Sequence, residues 1–144
     1  MDRKLYAERS FFMSMKNPYE QHKTNVIMTA SKEELTLMLY EGAIKFVNQA
    51  IIAIENKDPS KAHDLIVKAE NIVMEFRVTL KPEFDISTQL DQLYVYMYDR
   101  LFEANIKKDV AMLEEVRDLL RDFRDTWKEA MVIARKENST KRGK

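Results

Sequence analysis

Residues 29–53 read TASKEELTLMLYEGAIKFVNQAIIA, and the spacing of apolar residues along this stretch decides the fold. Ser31 followed three residues later by Glu34 forms a capping box, which starts a helix there. At about 100° of turn per residue, Leu35, Leu39, Gly42, Phe46, Ala50 and Ala53 stack into one apolar stripe. Leu37, Tyr40, Ile44, Val47 and Ile51 make a second stripe, leaving water only a narrow strip around Glu41, Lys45 and Asn48. One stripe suits the core of a helical bundle, and the second requires a cover of its own.

Composition narrows the setting of this helix. The chain has 144 residues, 45% of them apolar, which is enough for one domain with a continuous core. Lys plus Arg and Asp plus Glu each total 24, so no net field draws it to nucleic acid or to an anionic membrane, and partners are expected through shape and apolar contact. With 2 Gly and 3 Pro there is little material for hairpins, which favours an all-α fold. The absence of cysteine excludes disulfides, thiolate zinc sites and a cysteine nucleophile, and fits a cytoplasmic protein. Arg3 and Lys4 are followed by only a short apolar run, Phe11 to Met13, so no export signal is expected. The longest uninterrupted apolar run, Ala50 to Ile54, falls far below the ~18 residues of a spanning helix, so no membrane insertion is expected.

Residues 1–16 lack a convincing period and read as a flexible leader, and residues 17–136 read as a single helical-bundle domain. Asn17, Pro18 and Glu20 open a short helical arm over 17–30, too short to be stable alone. The long helix covers 31–56, and Asp58 with Pro59 starts the next over 59–80, whose stripe is Ala62, Leu65, Ala69, Ile72, Phe76 and Leu80. Lys81 and Pro82 stop it. The third covers 86–107, with Ile86, Leu90, Leu93, Met97, Leu101 and Ala104 toward the core and a second stripe of Val95, Tyr98, Phe102 and Ile106. Asp109 caps the fourth, over 109–136, with Leu113, Val116, Leu120, Phe123, Trp127, Ala130 and Ala134 inward. Residues 137–144, ENSTKRGK, read as a disordered tail. Short loops between long helices predict an antiparallel four-helix bundle with a short N-terminal helical arm.

Chemistry finds little support. A di-iron bundle needs Glu-x-x-His, but Ser60 precedes His63 and Tyr19 precedes His22 at that spacing, so no metal and no catalytic residue is assigned. The sequence AHDL around His63 faintly resembles histidine phosphotransfer bundles, but Ile66 and Val67 stand where those carry Lys-Gly. Tyr94, Tyr96 and Tyr98 suggest base stacking, which the nearby Asp91, Asp99 and Glu103 oppose. The two surplus stripes, Leu37, Tyr40, Ile44, Val47 and Ile51 with Val95, Tyr98, Phe102 and Ile106, are the candidate site. They suit an apolar groove for an amphipathic partner segment, with Met38, Met97, Met112 and Met131 as adaptable lining. A homodimer, forming a structural or adaptor bundle, or burial under the arm would use the same surface.

Four blocks carry a resemblance: NPYEQHKTN at 17–25, MTASKEELTLMLYEGAIKF at 28–46, LDQLYVYMYDRLFEAN at 90–105 and EEVRDLLRDFRDTWKEA at 114–130. In this order they make the chain resemble the FliS family of flagellin export chaperones. The resemblance implies a cytoplasmic bundle that holds the disordered C-terminal segment of flagellin, prevents premature polymerisation and delivers it to a component of the flagellar type III export gate. It implies no catalysis and no cofactor. Tyr19 matches the tyrosine of a family arm that lies over the cargo groove, with Val26 and Ile27 completing an expected lid. Thr29, Ala30 and Ser31 match the helix-opening motif, and Leu39, Tyr40, Gly42 and Ala43 its continuation. Leu93, Tyr94, Tyr96, Met97, Arg100, Leu101, Ala104 and Asn105 match the third-helix signature, and Trp127 the tryptophan of the last helix. Lys32 replaces a common proline, and Asp99 a frequent arginine. Gly42, a glycine inside a helix, is expected where two backbones approach closely.

Overall fold

The hydroxyl of Ser31 accepts the backbone N–H of Glu34 at 3.2 Å, and the helix it caps, α1, runs over Lys32–Glu55 in the computed structural model, which describes residues 30–79 and 87–142. Three more helices complete the described chain: α2 (Pro59–Thr79), α3 (Ser87–Lys107) and α4 (Val110–Arg142). The leader, the arm up to residue 29 with Tyr19, Val26, Ile27 and Thr29, and the expected stop at Lys81 and Pro82 lie outside the described residues.

The first and last connections are built alike. Lys57 and Lys108 adopt left-handed φ of 60° and 51°. Asp58 and Asp109 then return their N–H groups to Ala53 and Ala104 at 2.8 and 3.0 Å, closing the preceding helix. Their carboxylates accept the N–H groups of Lys61 and Met112 at 3.1 and 3.2 Å, opening the next. Each helix is thereby reversed within a few residues, which makes neighbours antiparallel. Around the bundle α1 packs on α2 and α4, and α3 packs on the same two, most sparingly on α4, so that α1 and α3 stand diagonally opposed.

One aromatic side chain from each helix meets in a layer across the core. Tyr40 stacks on Phe76 with centroids 4.4 Å apart, and Phe123 stands edge-on to Tyr40 and Tyr94 at 6.4 and 5.8 Å. The hydroxyls of Tyr40 and Tyr94 lie 2.8 Å apart, so each buried polar atom is satisfied by the other across the diagonal.

The fourth helix is longer than its sequence pattern predicts. It continues to Arg142, so residues 137–142 are helical rather than a disordered tail. Lys, Glu and Arg are adequate helix formers, no Gly or Pro interrupts the run before Gly143, and Thr140 bonds back to Lys136. Trp127 donates its ring N–H to the Glu33 carbonyl at 3.0 Å, level with the first turn of α1. The remainder of α4 therefore passes beyond the end of the bundle, and Ala130 and Ala134, expected inward, are exposed. By length and composition α1 is apolar enough to cross a bilayer, despite the short uninterrupted run, and here ten of its residues are buried in the bundle.

Gly42 does not mark a close approach of backbones. A Cβ built there would meet the Ile72 Cδ1 at 3.6 Å, an ordinary contact with a flexible side-chain end. Gly42→Ala is therefore expected to raise the unfolding free energy by about 0.5–1 kcal/mol through the entropy of the unfolded chain. Urea titration of both proteins measures this, and a destabilised variant would show that the site is tighter than its geometry.

Candidate functional site

The two stripes expected to face each other across a groove are not equivalent. Tyr40, Ile44, Val47 and Ile51 are 5%, 6%, 0% and 7% exposed and belong to the core cluster, and of the α1 set Leu37 alone is half-buried. These four are corrected from groove to core. The cause is the ring arrangement: α1 has a neighbour on each side, and the half of its circumference spanning both stripes is consumed by α2, α4 and the centre. Asn48, beside Ile44 and Ile51 on the helix surface, accepts a bond from Arg117 of α4, which marks α4 as lying along that side. Because α1 and α3 are diagonal, no groove runs between them. Met97, expected as adaptable lining, is likewise fully buried.

The α3 stripe keeps its surface. Phe102 and Ile106 are 55% and 70% exposed, and Val95 and Tyr98 are half-buried. Opposite them, just outside the line where α2 meets α3, α2 presents Met74 and Val78, 39% and 46% exposed, with half-buried Val67. Periodicity gives α2 one inward stripe and no sign of this row, although the helix also buries Ile66, Glu70 and Val73 beside that stripe.

Two polar pairs cross the same line, His63 Nδ1 with Asn105 Nδ2 at 2.8 Å and Arg77 with Asp91 at 2.8 and 3.3 Å, and between them Tyr98 faces Glu70. Each step of seven residues along α2 is matched by seven in the opposite sense along α3, as antiparallel helices require. Asn105 also accepts from Lys108 Nζ through its Oδ1 at 2.7 Å, so its amide nitrogen is the donor toward His63. Burial raises the Glu70 carboxyl above the usual carboxylate range, partly offset by Tyr98 and by His63. The Arg77 guanidinium, through its hydrogen bonds, holds Asp91 below that range.

The signature residues divide between core and surface. Leu39, Tyr94, Met97, Leu101 and Ala104 are buried, and Ala43 and Ala30 are enclosed in the middle of α1 and just before its start. Arg100 binds Glu115 at 2.9 Å, Tyr96 donates its hydroxyl to the same carboxylate, and Glu115 is pushed below the usual carboxylate range by these two bonds, Tyr96 first. This clip joins α3 to α4, the most sparingly packed pair of neighbouring helices among the described residues. Leu93, expected inward, is 38% exposed beside it. Gly42 lies against α2 through Ile72, and Trp127 ties α4 to the first turn of α1.

The sequence pattern of the family described as "Flagellar protein FliS" matches residues 15–134. The chain is 44% identical over 125 residues to the protein of Bacillus subtilis (strain 168) named "Flagellar secretion chaperone FliS", covering 87% of this chain and 94% of that one. It is similar to proteins of the same name from Escherichia coli (strain K12), 32% identical over 111 residues covering 75% and 82%, and Salmonella typhimurium, 32% over 108 residues covering 73% and 80%.

Proposed function

The chain belongs to the FliS family of flagellar secretion chaperones, and from that premise we propose that it binds the disordered C-terminal segment of flagellin in the cytoplasm, prevents its premature polymerisation and delivers it to a component of the flagellar type III export gate. The observation that carries this reading is the exposed apolar row of Phe102, Ile106 and Met74 along α2 and α3. Large apolar side chains grouped on one exposed face are costly to leave in water and mark a binding face. An extended track of this kind suits a segment that cannot bury its own apolar residues and becomes ordered on contact. The role assigned is non-enzymatic and uses no cofactor.

Calorimetric titration of the purified protein with a flagellin C-terminal peptide tests the reading. Saturable heat is expected, with a negative heat-capacity change from apolar burial and a peptide that gains helical circular dichroism on binding. Absence of both heat and a shift in elution would favour a self-associating bundle, for which the exposed row is a homodimer contact.

A further inference from the structure

The chain carries equal numbers of acidic and basic side chains, but α4 does not mix them evenly. At about 100° per residue, Arg121, Arg124, Lys128, Met131 and Arg135 fall within one sector of about 80°, in steps of three, four, three and four. No Asp or Glu of α4 beyond Arg121 enters that sector, and Asp122, Asp125 and Glu129 lie on the face beside it. The edge is on the α1 side of α4, as the bond from Arg117 to Asn48 shows, across the bundle from the apolar row of α2 and α3. The counterions of this edge change where the helix leaves the bundle. Within the bundle Arg121 reaches Asp118 at 3.7 Å and Arg124 reaches Asp125 at 2.9 Å. Past Trp127 the acidic positions run out: three and four residues either side of Arg135 stand Met131, Val132, Asn138 and Ser139. Asp125, the one carboxylate at that spacing from Lys128, is already held by Arg124. Lys128 and Arg135 are exposed and make no ion pair among the described residues. A helical end of some 15 residues is marginal in water unless something packs on it or its own charges pair along it. Along its basic edge this end has neither among the described residues.

We propose that this edge of α4 is a second docking surface, which takes an acidic helix of another protein, with Asp or Glu in one line along its side and an apolar residue opposite Met131. The inference goes beyond the flagellin reading and does not depend on it. The width of the edge selects the ligand. A nucleic-acid duplex or an anionic bilayer presents negative charge over a broad front, and a broad front set against this edge also meets Asp122, Asp125 and Glu129. A helix that carries its carboxylates in a single line meets the cations alone. The seven-residue recurrence of cations, Arg121 to Lys128 to Arg135, is the repeat that two packed helices share. Guanidinium groups bind carboxylates in a directional, two-pronged way, yet exposed pairs of this kind are individually weak. The contact is therefore fast to form, sensitive to salt and readily reversed. Because the edge and the apolar row lie on opposite sides of the bundle, both are open to partners at once.

The test uses the full chain and two fluorescent helical peptides of three heptads and identical composition. One carries glutamates at the first and fifth positions of every heptad, so that they form a line, and the other spreads the same glutamates around the helix. By fluorescence anisotropy at low salt the lined peptide is expected to bind at least tenfold more tightly than the scattered one. It should lose about tenfold or more of its affinity between about 20 and 200 mM salt. Lys128→Glu with Arg135→Glu is expected to abolish the preference for the lined peptide with an unchanged circular dichroism melt. Lys136→Glu with Lys141→Glu alters the charge of the same helix end by the same amount on other sides and is expected to keep the preference. Equal binding of the two peptides, equal losses in the two double variants, or no binding of the lined peptide at low salt overturns the proposal. Tighter binding of a short DNA duplex or of phosphatidylglycerol vesicles overturns it in favour of nucleic acid or a membrane. A wild-type dimer that the Lys128→Glu, Arg135→Glu variant converts to a monomer on elution would give the edge to a second copy instead. None of these outcomes decides whether the flagellin peptide binds.

Discussion

Ile44→Glu is expected to lower the unfolding free energy by about 4 kcal/mol or more, because it places a carboxylate without a partner inside the core. Ile44 is 6% exposed and belongs to the apolar cluster between α1 and its neighbours. Against a total stability of about 5–15 kcal/mol for a domain of this kind, the variant is expected to be largely unfolded or close to it. The same substitution at Ile106, 70% exposed, should change stability by no more than about 0.5 kcal/mol. The two residues belong to stripes that look alike in the sequence, so denaturant titration of both variants separates core from surface directly. An Ile44→Glu protein that melts like the wild type yet no longer binds the flagellin peptide would restore the groove between the two stripes.

Tyr40→Phe is expected to cost about 1–3 kcal/mol by orphaning the Tyr94 hydroxyl among apolar rings. Tyr94→Phe should cost a similar amount by orphaning Tyr40, since their hydroxyls serve each other at 2.8 Å in the buried aromatic layer. The double variant, with two apolar rings in place of two unsatisfied hydroxyls, is expected to recover most of the loss, and the departure from additivity measures the bond. Simple addition of the two penalties would mean that the pair contributes nothing as a pair. Alkaline pH gives an independent reading. Burial raises both phenols above their ordinary value near 10, chiefly by desolvation. Above about pH 10 the unfolded chain therefore releases protons that the native state retains. Wild-type stability should fall with rising pH in that window, and the double variant should lose the part of the slope due to these two groups.

What the sequence determined by itself is local. The capping box at Ser31, the caps at Asp58 and Asp109, the inward stripe of α2 from Ala62 to Phe76, and the core positions Met97 and Leu101 arise from short-range rules of helix starts and 3.6-residue periodicity. The motif blocks were legible for the same reason, being short strings that require no folding to be read. Where a helix lies in the ring is not a local property. Periodicity shows two apolar stripes on both α1 and α3 but has no means of saying that α1 has a neighbour over each, while α3 leaves one of its own beside α2. The α2 side of the line where α2 meets α3 was concealed because its outward face alternates polar and apolar residues. A pattern such as His63, Val67, Glu70, Met74 and Arg77 reads as an ordinary wet face until Asn105, Tyr98 and Asp91 are brought opposite. The exposure of Ala130 and Ala134 was hidden likewise, since a heptad continues along α4 past the level of the first turn of α1. Burial depends on which surfaces meet and where each helix stops relative to its neighbours, and only packing of the whole chain decides those.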